Sequence, residues 1–391
     1  MLSLVRDRTY AAVVFGHFGV DLLNSTGPVL LAVLAGPLGL SYTAIGLALT
    51  LYTFAASLSQ PLFGWLADRV RRRPVALAGL GVAWTAVWFA VLAVVPGWTL
   101  LLAAFLLAAL GSGLFHPIGT AAAAASHPER AATATAVFFF CGQLGLALGP
   151  VLGGLLYRSS GSLGVLPMTL VALLGGLAIV FSSPLTPRVR SVARDAGAAA
   201  SAGFWAISAF IALVAVRSSI QATYAAFLPT LFAERGWDPA AYGLLSGTFM
   251  LAAAIGNVVN GELADRRGMR MATVLPLLLG VPAGLVCIWA PAPAAAFMAA
   301  ALAGLLIGGQ HSILVVHAQR LLPTGQGLAA GLILGFTFAS GGVGTWLAGV
   351  AADYASLTVA LQGVTWLGVP AAVLALSLPG AQRASSAALR V

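Results

Sequence analysis

What most constrains this chain is that apolar stretches of bilayer-crossing length follow one another almost without interruption from Tyr10 to Leu378. A helix needs about 20 consecutive apolar residues to cross a hydrocarbon core. Charges, Pro/Gly turns and length divide the chain into twelve such spans. They fall at roughly 10–34, 43–66, 75–95, 98–122, 131–156 and 164–183, and then at 204–232, 240–263, 272–290, 294–319, 328–352 and 357–378. Only 7% of the 391 residues are charged, against the quarter or so that a soluble surface carries. One apolar helix can hide in a soluble core, but a whole chain of mean hydropathy +0.99 cannot. The expected fold class is therefore an all-α membrane protein.

The net charge of +9 would suit a nucleic-acid binder, but its distribution argues against one. There is no Lys, and the Arg residues sit in short clusters between the spans. With the N-terminus cytoplasmic, the cytoplasmic segments hold Arg6, Arg8, Arg69, Arg71, Arg72, Arg73, Arg130, Arg188, Arg190, Arg194, Arg266, Arg267, Arg270, Arg320, Arg383 and Arg390. The opposite loops hold only Arg158 and Arg235. That asymmetry is what the positive-inside rule expects. It predicts both termini in the cytoplasm of a bacterial-type cell, and the chain in its inner membrane. The run after Arg6 and Arg8 is longer than a signal-peptide core and shows no small-residue cleavage pattern, so a retained first helix is expected. Cys141 and Cys287 each lie within an apolar span, so neither a disulfide framework nor a zinc site is implied.

The chain also repeats itself. Gly64-Trp-Leu-Ala-Asp68-Arg69 returns as Gly261-Glu-Leu-Ala-Asp265-Arg266, 197 residues later and about half the chain away. Both copies follow the second span of their half. The expected organisation is a six-helix bundle over 1–183, a cytoplasmic linker over 184–203, and a second six-helix bundle over 204–391. Membrane proteins built from such repeats place their solute site near mid-bilayer, where the repeats meet.

The repeated segment, read on through Arg71, Arg72 and Arg73 in the first copy and Arg267, Gly268 and Arg270 in the second, resembles the loop signature of the major facilitator superfamily. The first copy departs from the pattern, with Arg71 where Gly is usual. Gly145-Leu-Ala-Leu-Gly149-Pro150-Val-Leu-Gly153-Gly154, in the fifth span, is similar to the segment associated with antiporter branches. It is also what a close-packing helix face looks like. His17-Phe-Gly-Val-Asp21, Ser59-Gln60-Pro61, Gly113-Leu-Phe-His116-Pro117, Ala318-Gln319-Arg-Leu-Leu-Pro323 and the glycines at 335, 341, 342 and 344 resemble the fosmidomycin-resistance efflux group. The resemblance covers nearly the whole chain. It implies a major facilitator fold and proton-driven export of small, often anionic or amphiphilic, toxic compounds. For Gly64, Asp68, Arg69, Arg72, Gly261, Asp265, Arg266 and Arg270, and for Gly149 and Pro150, it leaves two readings open: tight-turn and packing chemistry, or a gate that opens and closes during transport.

Ionisable groups at membrane depth cost about 2.5–3.5 kcal/mol each at a helix centre, so function is sought there. Asp21 in the first span and Arg217 in the seventh are 196 residues apart, nearly the repeat offset. They are expected to meet across a central cavity, either as a structural pair or as a proton carrier beside an anion ligand. His17 and Ser25 lie one turn before and after Asp21 on the same face. His17 is a candidate for proton coupling with Asp21. Ser25 joins Arg217, Gln221 and Tyr224 as candidates for substrate contact or interhelical hydrogen bonding. His116, beside Pro117, either binds substrate or donates to a freed carbonyl. Gln143, Gln310 and His311 are weaker candidates, and one of Phe138, Phe139 and Phe140 could wall a solute site.

There is no phosphate-cradling Gly-rich loop with Lys, no nucleophile–base group and no metal-ligand spacing. ATP-driven transport, enzymatic activity and a bound cofactor are accordingly not expected. The sequence points to a transporter, working as a monomer, with protons, a small solute and lipid as partners and no nucleic acid. Proton-coupled export is the leading expectation. A gradient-driven importer or facilitator of an organic anion or sugar, and a non-transporting scaffold or sensor, are its rivals.

Overall fold

A computed structural model describes residues 6–70, 72–127, 130–183, 204–321 and 326–378. The expected linker with Arg188, Arg190 and Arg194, as well as Arg71, Pro323, Arg383 and Arg390, lies outside these. Among the described residues the chain is helical throughout, without strands. The first half contains α1 (Arg8–Leu38), α2 (Tyr42–Arg69), α3 (Ala76–Leu92), α4 (Trp98–Ser126), α5 (Ala131–Ser160) and α6 (Leu166–Ser182). The second contains α7 (Phe204–Glu234), α8 (Pro239–Arg267), α9 (Met269–Trp289), α10 (Pro293–Ala303), α11 (His311–Leu321), α12 (Gln326–Tyr354), α13 (Leu357–Trp366) and α14 (Gly368–Ala375). The tenth expected span is α10 and α11 joined by a π-helical turn, Gly304–Gly308, and the twelfth is α13 followed by α14. Among the described residues nine helical stretches are long and apolar enough to cross a membrane, one of them running through α5 and α6, while α3 is shorter.

The helices start where short polar side chains accept from free backbone N–H groups. Asp7 caps α1, Ser41 α2, Asp238 α8 (with Pro239 at its first position) and Ser356 α13. Their outer faces carry large apolar side chains such as Leu58, Phe181, Val258 and Met298, all strongly exposed. In water so much apolar surface would drive aggregation; against acyl chains it is at home.

Packing between the halves is uneven along the membrane normal. α2 lies along α12, and α5 along α8. Backbones approach so closely there that a Cβ on Gly154 would strike the Pro239 carbonyl, and one on Gly243 the Pro150 carbonyl. The hydrogen bonds joining the halves belong to the same side. Asp353 accepts from the backbone N–H groups of Tyr42 and Thr43, both at 2.9 Å, Tyr42 Oη donates to Glu234 at 2.5 Å, and Thr50 Oγ1 donates to the Gly342 carbonyl at 2.6 Å. Arg158 faces Asp238 at 3.9 Å. This is the arginine-poor end. At the other end, a separate apolar cluster of Phe210, Leu213, Val214, Met269 and Ala272 serves the second half alone.

Candidate functional site

In the first half a polar cluster forms around Asp21. α1 places His17 and Asp21 one turn apart, so that His17 Nε2 lies 3.1 Å from Asp21 Oδ2. α4 brings His116 Nε2 to 3.4 Å from Asp21 Oδ1. Both rings are held from behind: His17 Nδ1 donates to the Phe138 carbonyl and His116 Nδ1 to the Ser112 carbonyl, each at 2.8 Å. Asn24 Nδ2 donates to Asp21 Oδ1 at 3.0 Å and to Ser112 Oγ at 3.1 Å, and Tyr52 of α2 donates to Asn24 Oδ1. Asp21 and His17 are buried, and the His116 side chain keeps 25% of its surface.

A stripe of small residues makes the cluster possible. A Cβ at Gly142 would strike the His17 ring and the Asp21 carboxylate, and at Gly145 and Gly149 it would strike the α1 backbone. The antiporter-like segment therefore closes α5 onto α1, while Pro150 offers its carbonyl to Gly243 of α8.

The second half holds Arg217, which is 1% exposed. Its Nη2 donates to the Gly308 carbonyl at 2.6 Å and to the Ile307 carbonyl at 3.3 Å. These belong to the π turn, where i→i+5 bonding disturbs the regular ladder. Arg217 Nε and Gln310 Oε1 are buried without a hydrogen-bond partner among the described residues, although Gln310 Nε2 donates to the Leu306 carbonyl at 3.0 Å. Gln221 directs its amide toward Gly308.

The expected meeting of Asp21 and Arg217 does not occur. Among the described residues Asp21 has the two histidines as its ionisable partners, and Arg217 has no carboxylate partner. Repeat symmetry sets matching heights on α1 and α7 but leaves side-chain direction free. Each group takes its partners from its own half. Ser25 spends its hydroxyl on the Asp21 and Gly145 carbonyls, and Tyr224 is buried with its hydroxyl on Thr365. His116 donates to the Ser112 carbonyl rather than to that of Gly113, which Pro117 leaves free, and its other ring nitrogen reaches Asp21. Phe138 stacks on His17 with ring centroids 3.9 Å apart. Gln143 is exposed on α5, and the His311 ring lies 6.2 Å from that of Phe338. Asn24, Ser112 and Tyr52 are site residues that sequence reasoning missed. Asn24 had a readable signal, three residues after Asp21 on the same helix face.

Among the described residues no hydrogen bond or ion pair joins the repeated loops to each other. Arg69 lies over its own Trp65 ring at 3.4 Å, Arg266 pairs with Glu262 at 2.5 Å, and Arg270 donates to the Leu378 carbonyl at 2.9 Å. Arg72 and Asp265 are exposed, Gly64 faces Pro117, Gly261 has open space, and the Asp68 side chain lies outside the described residues. Gly268 takes φ +84°, a value that favours glycine. In the first copy Arg73 takes φ +50°.

The model of the Major Facilitator Superfamily matches residues 13–220 and again 206–389. An uncharacterized MFS-type transporter of Bacillus subtilis (strain 168), YfnC, is 28% identical over 378 residues, covering 94% of this chain and 91% of that one. The fosmidomycin resistance protein of Escherichia coli (strain K12) is 27% identical over 361 residues, covering 88% and 86%. Among solved structures, a mutant form of the nucleoside transporter NupG superposes with a TM-score of 0.79 over 94% of this chain and 99% of that one, at 12% identity, a likeness of fold alone. With both halves matched, the helices in place and no enzyme among these relatives, the chain belongs to the Major Facilitator Superfamily: it is a multi-pass membrane transporter of a small molecule.

Proposed function

We propose that this transporter exports a small organic solute, anionic or amphiphilic, in exchange for protons, with Asp21, His17 and His116 as the proton site. The observation that carries the reading is a proton count. Both Nδ1 atoms face carbonyls, so both carry hydrogen, and each Nε2 bears a second one only when its ring is cationic. Two Nε2–carboxylate contacts therefore need two shared protons, leaving two cationic rings against one carboxylate or an equivalent tautomer. Removing the proton between His116 and Asp21 sets two lone pairs against each other and loosens α4 from α1. Proton loss is thereby tied to helix position, which an exchanger requires.

The solute's anionic part goes to Arg217, whose Nε is uncommitted, with Gln221 directed at the same Gly308 and Gln310 just after the π turn. Because Asp21 and Arg217 are separate, proton and solute do not compete for one atom set, and coupling runs through the movement of the halves. The chain alternates access as a monomer, with both termini cytoplasmic in the inner membrane of a bacterial-type cell. The end joined by Tyr42, Glu234 and Asp353 is then the outer one, and the repeated loops with Asp68, Arg69, Asp265 and Arg266 latch the cytoplasmic end in the opposite state. A phosphonate such as fosmidomycin is the first probe, given the name of the E. coli relative.

In proteoliposomes an imposed pH gradient should drive that probe, or a successor from a panel of organic anions, against its concentration. Asp21→Asn should abolish the drive. Uphill movement that persists in Asp21→Asn, or Arg217→Ala with unchanged flux, would overturn the assignment.

A further inference from the structure

We infer that the cluster of His17, Asp21 and His116 is also a binding site for one divalent transition-metal ion of the zinc class. The inference shares its residues with the proton reading, but stands on coordination geometry alone.

The three ligand atoms lie within 4.8 Å of one another. A tetrahedral zinc site with bonds of 2.0–2.1 Å sets its ligand atoms about 3.3 Å apart. His17 Nε2 lies 3.1 Å from Asp21 Oδ2 and His116 Nε2 3.4 Å from Asp21 Oδ1, so the ion would sit between the two rings against both carboxylate oxygens. Both imidazoles are aimed by an Nδ1–H···O=C bond, the arrangement that fixes the Nε2 tautomer needed for a metal. Asn24 donates to the carboxylate and holds it likewise. Two imidazoles and one carboxylate suit zinc or cobalt better than magnesium or calcium, which prefer oxygen alone. The partial exposure of His116 leaves an entry path and a fourth position for water or for an anionic group of a solute.

An ion bound there would tie α1 to α4 by coordination rather than by hydrogen bonds, and so hold the two sides of the cluster together.

The test uses the full-length chain purified in detergent, where neither a solute nor a gradient is needed. Titration with Co2+ should give one ion per chain with the intense visible absorption of a tetrahedral site, displaced by Zn2+. Asp21→Asn and His116→Ala should abolish that spectrum, and His127→Ala, outside the site, should leave it. Asn24→Ala keeps all three ligands and should weaken affinity about tenfold. A Co2+ spectrum of octahedral type, or binding that survives both ligand substitutions in protein that still unfolds cooperatively, would overturn the inference. Absent proton exchange together with a tetrahedral spectrum would sink the transport reading and leave this one intact.

Discussion

Arg217 shows what a buried cation does when no carboxylate is within reach. It satisfies carbonyls at a break in a helix, and it keeps one N–H unspent. Truncation removes both its charge and the partner of those carbonyls. Arg217→Met should therefore lower stability by about 1–3 kcal/mol, read by denaturant unfolding in detergent, in addition to ending anion binding. Arg217→Lys keeps charge but lacks a planar fork, so it should restore part of the stability and little of the affinity. For Asp21 the expected split is kinetic: Asp21→Asn should keep solute–solute counterflow and lose pH-driven uptake, measured in the same vesicles. The residues of this cluster were visible in the sequence one by one, because His and Asp are rare in apolar spans. The His17–Asp21 pair followed from its one-turn spacing, but the partnership with His116 did not, since nothing in a linear pattern tells whether an Asp on α1 turns toward α4 or toward α7.

Among the elements, α5 works hardest for its length. One face of glycines receives α1, and a second, at Gly154, receives α8. Its glycine spacing was legible as a close-packing surface, and the structure identifies the two helices it serves. Widening that surface forces the backbones apart. Gly149→Val should cost about 1–3 kcal/mol by overpacking. It should also shift the His17 ring signals in NMR, because α5 supplies the Phe138 carbonyl that orients that ring. The π turn was not legible: its sequence, Gly304-Leu-Leu-Ile-Gly308, reads as ordinary apolar helix. The extra residue it accommodates rotates everything after it, so a helical-wheel projection drawn straight through the tenth span misplaces Gln310 and His311.

At the scale of the whole molecule, an all-helical chain of repeated membrane crossings was readable because lipid imposes a length on every crossing. Which end is shut was not, because that depends on contacts between halves. Asp353, just beyond its span, is part of that closure. Burial pushes its carboxyl up, but hydrogen bonds from Thr43, Tyr42 and Ser41 outweigh this and leave it below its ordinary value. A carboxyl lowered in the closed state stabilises closure above its ordinary value, near 3.9, and that support is lost as pH falls through the closed-state value. Because Asp353 is exposed, the effect is modest, below about 1 kcal/mol. Spin labels near the arginine-poor ends of α2 and α12 should report a larger separated population as pH falls below about 4. Asp353→Asn should flatten that dependence.

The seal formed by Tyr42, Glu234 and Asp353 also gives the protein a handed pharmacology. In this conformation a membrane-impermeant chelator, label or drug supplied from the Asp353 side meets a capped rim. Among the described residues the opposite face presents no such Tyr42–Glu234–Asp353 network, so the two faces are not equivalent to such a compound. An antibody fragment raised against that rim would act as a clamp, arresting turnover at a distance from anything the transporter carries.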